Sequence, residues 1–325
     1  MIVTSCFMKR SRTISTFQGF FLLCRHEKLQ LIREKKIQMT DSSQRPVIQK
    51  IDIKKVFYDK NPTIARMLPG FVYAYLKRIL HQDFINEFLE RHGHKNGLEF
   101  IEGTLEEFNN KLVVAGRENI PKEGRFLFVS NHPLGGFDGM MLIRILRQHY
   151  PRVIFLVNDI LMNMRNLGEF FVPINKEGGQ SRESAAQMEK AYQSDAQIIT
   201  FPSGFVSRRI RGKIQDLPWK KNFVMKARQY KRDVVPIHVS GRNTNFFYRL
   251  ANFRKFLGIK WNLEMFYLPD ETYKHRDKTF TFTFGKPIPF STFDKTRTPL
   301  EWAAYVRELV YSLPSGQPAG RTTRK

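Results

Sequence analysis

The run Asn131-His132-Pro133-Leu134-Gly135-Gly136-Phe137-Asp138 places an imidazole and a carboxylate six positions apart, with two glycines between them. A carboxylate beside an imidazole fixes the tautomer and stabilises the imidazolium, the arrangement of a general base. Gly135 and Gly136 let the chain fold back tightly enough to bring the two side chains together. The plainer alternative has Asp138 as the N-cap of a following helix and His132 as a structural residue. A second segment, Phe201-Pro202-Ser203-Gly204-Phe205-Val206-Ser207-Arg208-Arg209, joins a glycine turn to adjacent arginines. Turn N–H groups and guanidinium charge together make an anion site; a solvated basic loop is the alternative. The third segment is Val235-Pro236-Ile237, with Ser240-Gly241-Arg242-Asn243 after it. Proline inside a buried strand removes a ladder hydrogen bond. Pro236 is therefore expected where the backbone bends by the site, a plain strand end being the alternative.

The elements that must position these residues are legible as short apolar runs alternating with helical stretches. Strands are expected at 112–116, 125–130, 153–157, 170–174, 197–201 and 233–239, and helices near 138–149, 181–193 and 219–230. Near-continuous apolar strands separated by helices indicate an α/β fold, with a central, mostly parallel sheet flanked by helices on both faces. Ligands in such sheets sit beyond the carboxyl ends of the strands, where the first two segments begin. Residues 278–284 alternate with period two and are expected to form a late edge strand, and 297–313 a closing helix. An N-terminal helical layer over 46–110 precedes the sheet. There Ile64, Met67, Leu68, Phe71, Val72, Tyr75, Leu76 and Ile79 recur at spacings of three and four, with a break at Pro69-Gly70. The expected organisation is thus a helical region at 46–110, an α/β domain at 111–314 and a disordered basic tail at 315–325.

Residues 1–45 read as a disordered or spurious leader. The first 38 residues hold both cysteines and eight of the basic residues, and Met39 opens a polar stretch that suits a translation start. The rival reading of this segment is a basic membrane-surface arm. Its longest apolar patch, Phe20 to Cys24, is far short of the ~20 residues that span a bilayer. From Met39 onward there is no cysteine, which excludes a disulfide framework and a cysteine zinc site there. His92-Gly93-His94 falls near an expected helix end and reads as polar surface, so no metal site is expected. The 325-residue chain carries a formal net charge of +24, which points to an anionic partner. Residues 200–260 alone hold fifteen Lys/Arg against Asp216 and Asp233.

Asn-His…Asp after one strand, Phe-Pro-x-Gly after a later one and Val-Pro-Ile on the next resemble three blocks of the glycerophosphate/lysophosphatidate acyltransferase superfamily, over about residues 110–245. The first block is most similar to a branch that includes lipid acyltransferases bearing hemolysin names and enzymes that acylate lyso-ornithine or lyso-glycine aminolipids. The resemblance implies that His132 deprotonates an acceptor hydroxyl while Asp138 orients the ring, and that the oxygen attacks an acyl thioester directly. It implies substrate contacts from Asn131, Gly135, Gly136, Phe201, Pro202, Ser203, Gly204, Arg208, Arg209 and Pro236. It implies no cofactor, since acyl carrier protein or coenzyme A enters as the substrate's carrier. Acyl carrier protein, an anionic membrane surface and a lyso-lipid are the expected partners. The expected location is peripheral, on the cytoplasmic face of the membrane.

The departures bear on the acceptor. One residue more separates His132 from Asp138 than in the commonest first block, and Ser203 stands where that family's Glu follows Phe-Pro. The block between, an apolar strand ending in Arg, is faint in Phe171-Val172-Pro173-Ile174-Asn175-Lys176. Those missing Glu and Arg are associated with glycerol phosphate, so a different hydroxylated lyso-lipid is expected, with lysophosphatidate acylation as an alternative. A serine-type lipid hydrolase using Ser203, His132 and Asp138 is another, although Phe201 and Phe205 stand where a nucleophile elbow has glycines. A basic nucleic-acid binder is the non-enzymatic alternative, but no helix-turn-helix, RNA-recognition or zinc-finger pattern is present, so nucleic acid is not an expected partner.

Overall fold

The computed structural model describes residues 50–157, 162, 164–174 and 182–314. The expectations for residues 1–45, for Asn175-Lys176 and for 315–325 lie outside these residues. The chain divides into two units, one ending at His94 and the other beginning at Lys95.

The described part of the first unit is helical: α1 (Ile53–Lys60), α2 (Pro62–Met67), α3 (Gly70–Ile79) and α4 (Gln82–His92). Asp52 caps α1 by accepting the N–H groups of Lys54 and Lys55. Pro69 separates α2 from α3 as the sequence predicts, because proline bars the helical conformation at the residue before it. The Tyr73 hydroxyl donates to the Ala65 carbonyl at 2.8 Å, tying α3 back to α2. The apolar spacing does not yield one packed face. Tyr73 and Ile79 are the buried residues of α3, whereas Met67, Phe71 and Tyr75 remain exposed.

The second unit opens with α5 (Gly97–Glu107) and continues through β1 (Lys111–Ala115), β2 (Phe126–Ser130), α6 (Gly136–Arg147), β3 (Val153–Val157) and β4 (Phe171–Pro173). Then come α7 (Arg182–Gln193), β5 (Gln197–Thr200), a hairpin of β6 (Arg208–Ile210) and β7 (Lys213–Gln215), α8 (Asn222–Tyr230) and β8 (Asp233–Val239). α9 (Asn245–Phe256), α10 (Leu268–Tyr273), β9 (Thr279–Phe284) and α11 (Pro299–Ser312) complete it. Seven strands form one sheet in the order β1-β9-β8-β2-β5-β3-β4. All its pairings are parallel except β8 with β9. The carboxyl ends of β8, β2, β5, β3 and β4 therefore share one rim.

Both faces of the sheet are covered, which is why its strands read as continuous apolar runs. Leu127 and Val129 of β2 join Ile198, Val234, Tyr192, Phe223 and Val306 in one core, each such buried side chain being worth about 1.5–3 kcal/mol. Phe126 and Phe128, alternating to the other face, pack against Tyr150. On that side α6 comes so close to β3 that a Cβ on Gly139 would lie 2.3 Å from the Phe155 ring.

The late strand is a correction. β9 lies between β1 and β8, not at an edge. Its phenylalanines 280, 282 and 284 are buried, but so are Thr281 and Thr283, and the Thr283 hydroxyl donates to the Pro314 carbonyl at 2.8 Å. Threonine satisfies its hydroxyl internally, so period-two alternation here does not mark a solvent face.

Candidate active site

β2 and β5 are neighbours with Val129 opposite Thr200, so the loops that follow them emerge side by side at the carboxyl rim. Asn131 clamps the first loop's root. Its side chain donates to the Val239 carbonyl at 2.9 Å and accepts the Val239 N–H at 2.7 Å, tying the end of β2 to the end of β8. Gly135 then turns the chain at φ 88°, ψ −144°, a backbone open only to glycine, and Gly136 begins α6.

Asp138 is not the N-cap; Gly135 holds that position and Asp138 is the third helical residue. Its Oδ2 lies 3.1 Å from His132 Nδ1 and accepts the Leu134 N–H at 2.9 Å. One carboxylate oxygen thus closes the loop on both side chain and backbone. Asp138 is fully buried. Burial pushes its carboxyl above the ordinary aspartate range, while the His132 hydrogen bond and the Leu134 N–H pull it back down. When Asp138 is ionised its Oδ2 only accepts, so Nδ1 then donates and Nε2 carries the free lone pair. The imidazole is partly exposed, and Nε2 takes no hydrogen bond among the described residues.

The second loop supplies the ring's floor. Phe201 stacks on His132 at 4.1 Å between centroids and 19° between planes. Phe155 braces Phe201 edge-on at 5.3 Å. The close approach at Gly139 thereby reaches the imidazole through two aromatic contacts. Gly204 turns the loop at φ 70°, and its N–H donates to the Phe201 carbonyl at 2.9 Å. Pro202 is buried, and its carbonyl accepts the Lys220 N–H. Ser203 is buried and donates its hydroxyl to the Phe205 carbonyl at 2.7 Å.

The other three expected site residues lie on β6 and β8. Arg208 is buried, donating to Glu264 at 2.9 Å and to the Val206 carbonyl at 2.7 Å. A guanidinium packed over Phe247 needs an internal anion, and Glu264 is that anion. Arg209 is partly exposed but bonded to Asn245 Oδ1 at 2.7 Å. Pro236 lies inside β8 opposite Val129, level with the end of β5 at Thr200. Its missing N–H falls where the β8–β9 ladder has ended at Phe284 and before the Val234–Ile288 bridge.

One residue of the arrangement carried no sequence expectation. Asp216, fully buried, accepts the Ser207 hydroxyl at 2.6 Å and the His132 backbone N–H at 3.2 Å on Oδ1, and the Trp219 indole N–H at 2.9 Å on Oδ2. The Ser207 N–H in turn donates to the His132 carbonyl at 2.8 Å. Both backbone groups of His132 are therefore held by the second loop and its buried acid. The one sequence signal was rarity: Asp216 is one of two acids among fifteen cations. The arrangement can hold a neutral imidazole in one tautomer and one orientation, with its other nitrogen available to take a proton.

A family model described as "Acyltransferase" matches residues 55–320. A lyso-glycine lipid O-acyltransferase of Bacteroides thetaiotaomicron is 52% identical over 276 residues, covering 85% of this chain and all 100% of that protein. One of the same name from Phocaeicola vulgatus is 50% identical over 277 residues, 85% of this chain and 98% of that one. Among solved structures, the 1-acyl-sn-glycerophosphate acyltransferase of Thermotoga maritima is 20% identical with a TM-score of 0.42, covering 74% of this chain and 89% of its own. With four-fifths of its length matched by the family model and half of its aligned residues shared with relatives covered over their full length, the chain belongs to this acyltransferase family.

Proposed function

We propose that the protein transfers a fatty acyl group from a thioester to the hydroxyl of a lyso-lipid in aminolipid synthesis, with a lyso-glycine lipid as acceptor. The acceptor class rests on the names of the two relatives. The chemistry rests on a single observation, the His132–Asp138 pair with Nε2 left free. In this reading Nε2 takes the proton from the acceptor hydroxyl as its oxygen attacks the thioester carbonyl. The tetrahedral intermediate collapses, the C–S bond breaks, and the departing thiolate takes the proton back from the imidazolium. Asp138 holds the ring and stabilises its charged form; Phe201 and Asp216 fix where it sits. Positioned general-base catalysis of this kind contributes about 10²–10⁴-fold.

The thioester is carried by acyl carrier protein or coenzyme A, both anionic, and the cations of residues 200–260 suit either. An anionic membrane surface supplies the lyso-lipid. No described helix is long and apolar enough to cross a membrane. The bonding of Ser203 favours the transferase over a serine hydrolase, because its hydroxyl points to the Phe205 carbonyl and not to His132.

The test is the lipid profile of cells lacking the gene, complemented with wild type or with His132→Ala. Loss of the acylated aminolipid, accumulation of its lyso form and rescue by wild type alone are expected. An unchanged profile, or full rescue by His132→Ala, overturns the proposal.

A further inference from the structure

α9 has two faces of opposite habit. Phe247, Tyr248 and Ala251 are buried against the unit, with Phe247 and Tyr248 packed on Val206. The outward face is not polar as a surface helix's normally is. Phe246, Phe253 and Leu257 recur at spacings of seven and four, and Phe256 stands beside them. Their exposures are 48%, 59%, 52% and 85%. Arg249 lies on the same stripe and Lys260 follows its end, both exposed. Among the described residues neither of these two cations has an ion pair. Between Asp233 and Glu264 the sequence has no acid at all. Glu264 itself is buried and committed to Arg208 and Arg254.

We infer that the outward face of α9 docks on an anionic lipid bilayer, its aromatic side chains entering the interface and Arg249 and Lys260 meeting the headgroups. The charge is of one sign with no acid to oppose it, which matches a negative surface. Large aromatics beside Lys/Arg, exposed on one side of a helix, suit the headgroup–acyl boundary. An acidic carrier protein is the other anionic occupant. Four bulky apolar side chains on the stripe favour the bilayer over a partner recognised mainly by charge. The face is also coupled to the site. Arg209 bonds Asn245 at the start of α9, and Val206, packed on α9, precedes the Ser207 that holds His132. Docking through α9 would set the loop after β5 against the membrane that presents a lyso-lipid.

The experiment is sedimentation of the full chain with phosphatidylcholine vesicles, with and without phosphatidylglycerol, across a salt series. Binding to the phosphatidylglycerol vesicles that weakens with salt is expected. Phe253→Ser with Phe256→Ser should weaken it about tenfold per aromatic removed. Arg249→Glu with Lys260→Glu should weaken it and make it less dependent on salt. Both pairs are on the surface, so thermal melts should match wild type. Vesicle binding that both pairs leave unchanged overturns the inference. So does loss of acyl carrier protein binding in these variants with vesicle binding intact. Because the readout needs no turnover, its failure leaves the acyl-transfer proposal standing.

Discussion

The loops after β2 and β5 leave adjacent strands at the same rim, and each turns on a glycine at positive φ, Gly135 and Gly204. They treat their polar groups in opposite ways. The second loop is closed: Ser203 bonds Phe205, Ser207 bonds Asp216 and Arg208 bonds Glu264. The first leaves His132 Nε2 open after committing Nδ1, the backbone N–H and the carbonyl, and keeps Asp138 Oδ1 buried without a hydrogen bond. The difference teaches how a reactive imidazole is held. A neighbouring loop whose polar side chains are committed is a rigid bed, and reactivity is concentrated at the unsatisfied nitrogen that is partly exposed. If so, substitutions in the first loop should act on rate, and those in the second on stability.

Asp138→Asn is the strongest way to break that comparison. The amide keeps the shape but removes the charge that stabilises the imidazolium, so kcat should fall about 10²–10⁴-fold. Stability should move the other way. A carboxyl whose folded-state value is raised, as burial raises Asp138, favours folding while protonated and loses that contribution as pH rises through the folded value. The variant should therefore gain on wild type as pH rises. Steady-state rates beside thermal melts at acid and neutral pH check both. Rate and stability falling together would make the pair structural.

What the sequence could show follows from distance along the chain. The buried strands are legible because both sides of each are covered, and Val153–Val157 and Asp233–Val239 appear where their apolar runs place them. The His132–Asp138 contact is legible because its partners lie six residues apart on one loop. The Asp216 contact joins residues 84 apart and the Arg208–Glu264 pair residues 56 apart. Only the tertiary fold brings them together, so the sequence shows Arg208 as a free cation and Asp216 as nothing in particular. The same holds for Thr281 and Thr283. Their polarity suggested an edge, and only the neighbouring strands show that both their faces are covered.

Asp216→Asn tests the bed beneath the imidazole. Every hydrogen bond its carboxylate makes is accepted, from Ser207, His132 and Trp219. An amide must turn its NH₂ toward one of these donors in either orientation. A loss of about 1–3 kcal/mol of stability is expected, with kcat lowered about tenfold because His132 is displaced, not discharged. The pH–rate profile should keep its shape, which a direct role in proton transfer would change. Asp216→Asn with Trp219→Phe removes one opposing donor and should recover part of the stability. No recovery would mean that the hub does not act through these bonds.

The smallest effect expected is that of Ser203→Ala, and it separates the transferase from its enzymatic rival. The serine hydroxyl donates to Phe205 within its own turn, so its loss should cost about 0.5–1.5 kcal/mol. The Phe201 floor and the His132–Asp138 pair remain, and the rate should change less than about tenfold. A nucleophile behaves otherwise: its removal alone costs about as much as removing the whole catalytic group, on the order of 10⁶-fold in a serine hydrolase. Thermal melts and acyl-transfer rates of the one variant distinguish the two. A small loss of stability with the rate nearly kept marks the second loop as support. An intact fold with activity abolished would move the chemistry from the first loop to the second.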